Sequence, residues 1–357
     1  MSPRRTLTSP CLHPLGRAAS VAGMSDLVSF GEIMMRLSTP ARLRFADAPH
    51  LDISFGGAEA NAAVQAVQLG ASAAFVTRLP DNDHGHRCVE ALRGRGIDVS
   101  HIQHGPGRMG LFFVESGEGQ RPSRVAYDRQ HSALTGIQPG MFDWPSILAG
   151  AKWFHWSGIT PALGDGCAAV CREACEAARR LGLAVSFDVN YRSALWRTAD
   201  AAARLVPMLA GLDLCVCGED EAVSILGADT LEDEDEARLP AIAASLVRRH
   251  GFRRVAMTSR IGQSASSVTW RAMLFEQGNA YFSRTHEIGI VDRIGSGDAF
   301  TGALIYSLLR GDEPGYAVEF ASAAGAWKHT VPGDWNRAST AELEALSRGE
   351  GGGRIRR

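Results

Sequence analysis

Asp292-Arg293-Ile294-Gly295-Ser296-Gly297-Asp298-Ala299-Phe300 joins an apolar run, Ile288–Val291, to a strong helical pattern over Ala299–Leu309. Glycines on either side of Ser296 let the backbone turn sharply and let an anion approach closely. The N–H groups of a first helical turn have no carbonyl of their own helix to reach, so they point at such an anion. A carboxylate at Asp298 then stands where it can take a proton from a hydroxyl beside a phosphate. The same letters fit a plain loop with Asp298 as an ordinary N-cap. Alone, the stretch does not separate the two.

Outward from it, strand and helix patterns alternate. Strands are predicted at Leu27–Ile33, Ala73–Leu79, Gly110–Glu115, Arg124–Tyr127, Trp153–Trp156, Ala184–Asp188, Leu212–Val216 and Val255–Thr258. Helices are predicted at Ala58–Leu69, Gly85–Arg93, Cys167–Leu181, Ala201–Leu209, Glu219–Leu226 and Ala237–His250, then Gly297–Leu309, Gly315–Lys328 and Thr340–Ser347. This order implies an α/β fold, a mostly parallel sheet with helices on both faces. In such sheets the ligand site lies beyond the carboxyl ends of the strands.

A second glycine-rich helix start is Gly56-Gly57-Ala58-Glu59-Ala60-Asn61, where Asn61 offers a polyol both a donor and an acceptor. A tight turn into a packed helix reads equally well there. Tyr127, Arg129 and Arg192 follow apolar or aromatic strand residues, and a forked Arg contact suits a carboxylate. Any of them also fits a surface ion pair of little worth. Gly105-Pro106-Gly107-Arg108-Met109-Gly110 satisfies G-x-G-x-x-G, but the strand-like Leu111-Phe112-Phe113-Val114 follows instead of a helix. A dinucleotide turn is therefore rejected.

Composition removes other classes. Lys occurs only at 152 and 328, preceded by Ala151 and Trp327, so no P-loop is present. A net charge of -2 over 357 residues gives no reason to expect nucleic acid or an anionic membrane as partner. No apolar run approaches the ~20 residues of a membrane-spanning helix. Seven Cys without C-x-x-C argue for a reducing cytoplasm. Cys167, Cys171 and Cys175 share one helical face and are expected in the core.

Taken in order, GGAEAN (56–61), GRMG (107–110), RVAYDRQHSAL (124–134), FHWSGI (154–159), FDVNYRSALW (187–196), DRIGSGDAF (292–300) and KHTVPGDWN (328–336) resemble the PfkB, or ribokinase-like, carbohydrate kinases. Within that family the wording is most similar to the branch acting on 2-keto-3-deoxygluconate. The resemblance implies a Rossmann-type sheet sandwiched by helices, with a small β-strand lid drawn from within about 34–57 and 108–130. It implies ATP-dependent phosphorylation of a sugar acid, with Mg²⁺, and a homodimer paired through the lid. A fructokinase or ribokinase type of sugar kinase is the nearer alternative, and a non-catalytic sugar or nucleotide sensor the other.

By similarity, Asp298 is the catalytic base and Gly295, Ser296 and Gly297 form the anion hole. Gly56, Gly57 and Asn61 match sugar-contacting positions, and Tyr127, Arg129 and Arg192 match those that hold the keto-acid end. Thr258, Ser259, Arg260, Gly262 and Ser322 correspond to the nucleotide side. Glu221 retains the acid of an N-x-x-E motif tied to magnesium and phosphate, but Gly218 replaces its Asn. Phe112 and Phe113 stand near a position where related kinases often carry Tyr.

Residues 1–23 read as a disordered tail, with Met24 as the functional start, and 24–347 as the kinase domain. The run Glu232–Glu236 reads as a solvated loop, and 348–357 as a flexible end. Histidines 84, 86, 101 and 104 lie on polar stretches and are expected at the surface, while His155 has no assigned role.

Overall fold

Leu27–Phe30 (β1) is buried at every position, because it lies inside a sheet covered on both faces. The structure is a computed structural model and describes residues 25–229 and 237–350. The expected amino-terminal tail, the run Glu232–Glu236 and the residues after 350 lie outside the described residues.

After β1 come β2 (Met34–Ser38), β3 (Asp52–Gly56), α1 (Ala58–Leu69), β4 (Ala73–Pro80), α2 (Asp83–Arg93), β5 (Ile102–Gly105), β6 (Leu111–Glu115) and β7 (Arg124–Asp128). The chain continues through α3 (Trp144–Ile147), β8 (Trp153–Ser157), α4 (Ile159–Ala162), α5 (Asp165–Arg180), β9 (Ala184–Asp188), α6 (Thr198–Leu205) and β10 (Leu214–Cys217). Then follow α7 (Glu219–Ser224), α8 (Arg238–His250), β11 (Arg254–Ser264), β12 (Ser267–Glu276), β13 (Asn279–Phe282) and β14 (His286–Gly289). The last elements are α9 (Ser296–Arg310), α10 (Pro314–Lys328) and α11 (Thr340–Ser347).

The main sheet runs β13-β12-β11-β10-β9-β8-β1-β4-β5, with β14 also paired to β12. From β11 to β5 every neighbour is parallel, and β12 turns the far edge antiparallel. A second sheet, β3-β2-β6-β7, is the lid. Alternation sends Val28, Phe30, Phe154 and Trp156 to one core, with Cys167, Cys171 and Cys175 of α5. Leu27, Phe75 and Trp153 face the other core, under Phe300 of α9 and Phe320 of α10. The three thiols are packing residues, as expected, and burial pushes Cys167 and Cys175 up to about 12.

Several expected bounds shift: the strand expected over Leu27–Ile33 stops at Phe30 and the helix expected over Glu219–Leu226 at Ser224, and two further changes have a clear physical cause. The helix expected over Ala201–Leu209 ends at Leu205 and tightens into a 3₁₀ turn over Val206–Met208, because Pro207 has no N–H to continue the ladder. The strand expected to stop at Thr258 runs on to Ser264, paired with β12 through Gly262 and again, after a register shift, at Ser264. Its Ser, Gly and Gln residues look like loop chemistry, but the ladder with β12 holds them extended.

Candidate active site

Gly295 sits at φ 86° as the N-cap of α9, a left-handed conformation that favours glycine. A Cβ there would also strike the carbonyl oxygen of Asp334. The turn is fixed from within: Asp292 Oδ1 accepts from Ile294 N–H at 3.1 Å, and Ser296 Oγ donates to Arg293 O at 2.9 Å. This aims the first turn of α9 into a cavity of about 770 Å³, within the range of small-molecule sites. Its walls come from the carboxyl ends of β9 and β10, from Thr258–Arg260 in the middle of β11, from the 293–298 turn, and from Val125 and Tyr127 of the lid.

Asp298 lies in that wall, on the first turn of α9. Asn61 Nδ2 donates to its Oδ2 at 2.7 Å, so the two glycine-rich helix starts meet at one carboxylate. Burial raises Asp298 to about 6, against the lowering pull of Asn61 and the Arg192 and Arg260 charges. A base poised there is ionised at neutral pH yet more basic than a free carboxylate. Gly57 is required by close approach rather than by φ, since a Cβ would meet the Glu32 carbonyl oxygen.

Thr258, Ser259, Arg260, Gly295, Ser296, Gly297, Tyr127, Arg192 and Glu221 all border the cavity with Asp298. Arg192 is exposed there, makes no ion pair among the described residues, and donates only a long 3.4 Å bond to Tyr191 O. Gly56, Gly57 and Asn61 lie behind Asp298 and reach the site through Asn61.

Three expected site residues fall elsewhere. Arg129 is buried and holds Glu32, with Nε at 2.8 Å and Nη2 also donating to the same oxygen, while Ser132 Oγ donates to Glu32 Oε1. Its guanidinium is engaged with Glu32 instead of lining the cavity. Ser322 is buried in α10, where its Oγ accepts from Trp270 Nε1 at 3.0 Å and from Ser283 Oγ at 2.9 Å. Gly262 lies farther along β11, off the cavity wall. We expect Ser322→Ala to cost about 1 kcal/mol, since the Trp270 N–H keeps the Ser322 carbonyl. Urea melts check the loss.

Glu221 caps α7: its carboxylate accepts from Gly218 N–H at 2.7 Å and Tyr191 N–H at 3.0 Å. Gly218 contributes only this backbone donor, which any residue but Pro would supply, and no amide side chain. Asp188, at the end of β9, was not singled out as a site residue. Burial first, then the charges of Glu221 and Asp298, push it well above the ordinary carboxylate range. A strand-end acid in an α/β sheet was the available signal. Asp188 and Glu221 present hard oxygen donors on one wall, a set that fits Mg²⁺.

His155 is buried in β8 with Nδ1 2.8 Å from Ser186 Oγ, away from the cavity, and burial lowers it to about 4. His86 and His104 gather with Asp81 within 4.8 Å, all three exposed. Three exposed groups do not make a closed metal site.

The sequence matches the profile of the pfkB family carbohydrate kinases over residues 24–341. It is 34% identical to the 2-dehydro-3-deoxygalactonokinase of Haloferax volcanii over 91% of this chain and 97% of that one. It is 32% identical to the 2-dehydro-3-deoxygluconokinase of Thermoproteus tenax, covering 90% and 93%. The crystal structure of 2-dehydro-3-deoxygluconokinase from Thermotoga maritima superposes with a TM-score of 0.88 at 41% identity, covering 90% of this chain and 99% of that one. With its ordered motifs, its sheet and lid, and the turn at Asp298, the chain belongs to the pfkB family of carbohydrate kinases.

Proposed function

We propose that this sugar kinase transfers the γ-phosphoryl group of ATP to the primary hydroxyl of a 2-keto-3-deoxy sugar acid, giving the 6-phosphate of 2-keto-3-deoxygluconate or its galactonate epimer. The observation that carries the acid is Arg192, a guanidinium on the cavity wall that makes no direct ion pair among the described residues, its charge reaching Asp188 and Asp298 only through space. Such a fork suits a substrate carboxylate, and Tyr127 borders the same cavity from the lid. The names of the relatives point to the same substrate class.

In the proposed step, Asn61 holds the Asp298 carboxylate and Asp298 takes the hydroxyl proton as the phosphoryl group arrives. The N–H groups of the 295–298 turn face the charge that develops on the transferring group. Thr258, Ser259 and Arg260 form the nucleotide side. Mg²⁺, held by Asp188 and Glu221 directly or through water, would neutralise phosphate charge. A homodimer through the lid suits β7, which is exposed at every residue. No helix among the described residues is long and apolar enough to cross a membrane. Buried free thiols suit a reducing cytoplasm.

Purified protein with ATP and Mg²⁺ should phosphorylate both 2-keto-3-deoxy acids at least about 100-fold more efficiently than fructose or ribose. Equal activity on the neutral sugars would sink the acid assignment. Arg192→Ala should raise KM for the acid about 10- to 100-fold, leaving any turnover of neutral sugars nearly unchanged.

A further inference from the structure

Behind the 295–298 turn lie four buried charged side chains that the proposed step does not use: Arg36 of β2, Asp292, Lys328 at the end of α10, and Asp334. Arg36 donates to Asp292 Oδ2 at 2.5 Å and to Asp334 Oδ1 at 2.8 Å. Asp292 Oδ2 also accepts from Gly333 N–H at 3.0 Å. Lys328 is fully buried, and its Nζ donates to two main-chain carbonyls, Asp292 O at 3.2 Å and Val331 O at 3.1 Å.

Burying four charges is costly, and an apolar set of the same volume is often no less stable. The arrangement makes sense as a clamp. Asp292 begins the turn, and Asp334 packs its carbonyl against Gly295, so both walls of the turn are gripped by fixed cations. The two carbonyl dipoles converge on one ammonium, a contact that an apolar side chain cannot make.

We propose that Lys328 is a positioning residue for phosphoryl transfer: its ammonium ties the 292 and 331 loops together and thereby aims the N–H groups of the 295–298 turn. It touches neither substrate nor nucleotide and acts through the backbone. The inference rests on reading that turn as the anion hole.

Lys328→Ala, in the full chain, should lower kcat about 10- to 100-fold and leave KM for the sugar acid within about threefold. Added ammonium or methylammonium, which fits the vacated space, should restore kcat in this variant and leave the wild type unchanged. Lys328→Met, which keeps the side-chain volume, should show the same loss of kcat without rescue. A folded variant with wild-type kcat overturns the proposal. So does a loss in Lys328→Ala that no ammonium restores, and so does failure of both variants to fold, which makes Lys328 a stability residue. Asp298→Asn assayed alongside separates the two readings. If it is inactive while the Lys328 variants are normal, only the clamp fails; if it is active, the assignment of the turn fails.

Discussion

Asp298→Asn lowers kcat about 10²- to 10⁴-fold and at the same time raises stability at pH 8. The amide keeps the shape and an oxygen to accept from Asn61 Nδ2, now 2.7 Å from the carboxylate. It has no basicity, so the hydroxyl proton loses its acceptor. The stability gain follows from the same burial that raises Asp298 from 3.8 to about 6. A carboxyl group raised on folding contributes stability that is fully present below pH 3.8 and is lost as pH rises through about 6. Above that, the native state carries a poorly solvated charge, and Asn removes it for a gain on the order of 1 kcal/mol. Glu59, buried and raised to about 7, adds to the same trend. In the wild type, kcat/KM should fall below about pH 6 as the base protonates. Thermal melts at pH 5 and pH 8, with pH–rate profiles, measure both halves. Wild-type turnover in the variant would reject Asp298 as the base.

Arg129→Ala destabilises the protein by about 3–5 kcal/mol, far more than loss of a substrate contact would. Glu32 and Arg129 are both buried, and the truncation leaves the carboxylate with the Ser132 hydroxyl alone of its side-chain donors. The pair joins the end of the central strand region to the chain leaving β7, so its loss loosens the lid's attachment. Urea melts should show the loss, and the double variant Glu32→Gln/Arg129→Met should recover part of it, since no buried charge then lacks a partner. Unchanged stability with a raised KM for the sugar acid would instead return Arg129 to the substrate.

The positions of Arg129 and Arg192 show where sequence reading stops. Both come just beyond a strand end, and nothing local says that one meets a buried Glu and the other an open cavity. That distinction depends on Glu32, which is 97 residues away from Arg129. Helices with local punctuation were legible to the residue: α1 stops at the left-handed Gly70, and α11 starts at the Ser339 capping box. The β11–β14 edge was largely illegible, because pairing with β12, not local preference, keeps Ser259–Ser264 extended. Asp298 was legible through its glycines. Asp334 was quoted in a motif but carried no local sign that it would pack against Gly56 and Gly295.

The meeting of α1 with α9 sets a timetable for synthesis. Asn61 must wait 237 residues for Asp298, and Gly302 of α9 seats directly on the Ala62 carbonyl. Until α9 emerges from the ribosome, α1 has one flank uncovered, although β1 and β4 behind it can already pair. A chain released before Arg310 therefore exposes a sticky helix and has no complete α9. Catalysis and completion of the core arrive together, so an unfinished product is a substrate for chaperones and proteases rather than a weak enzyme.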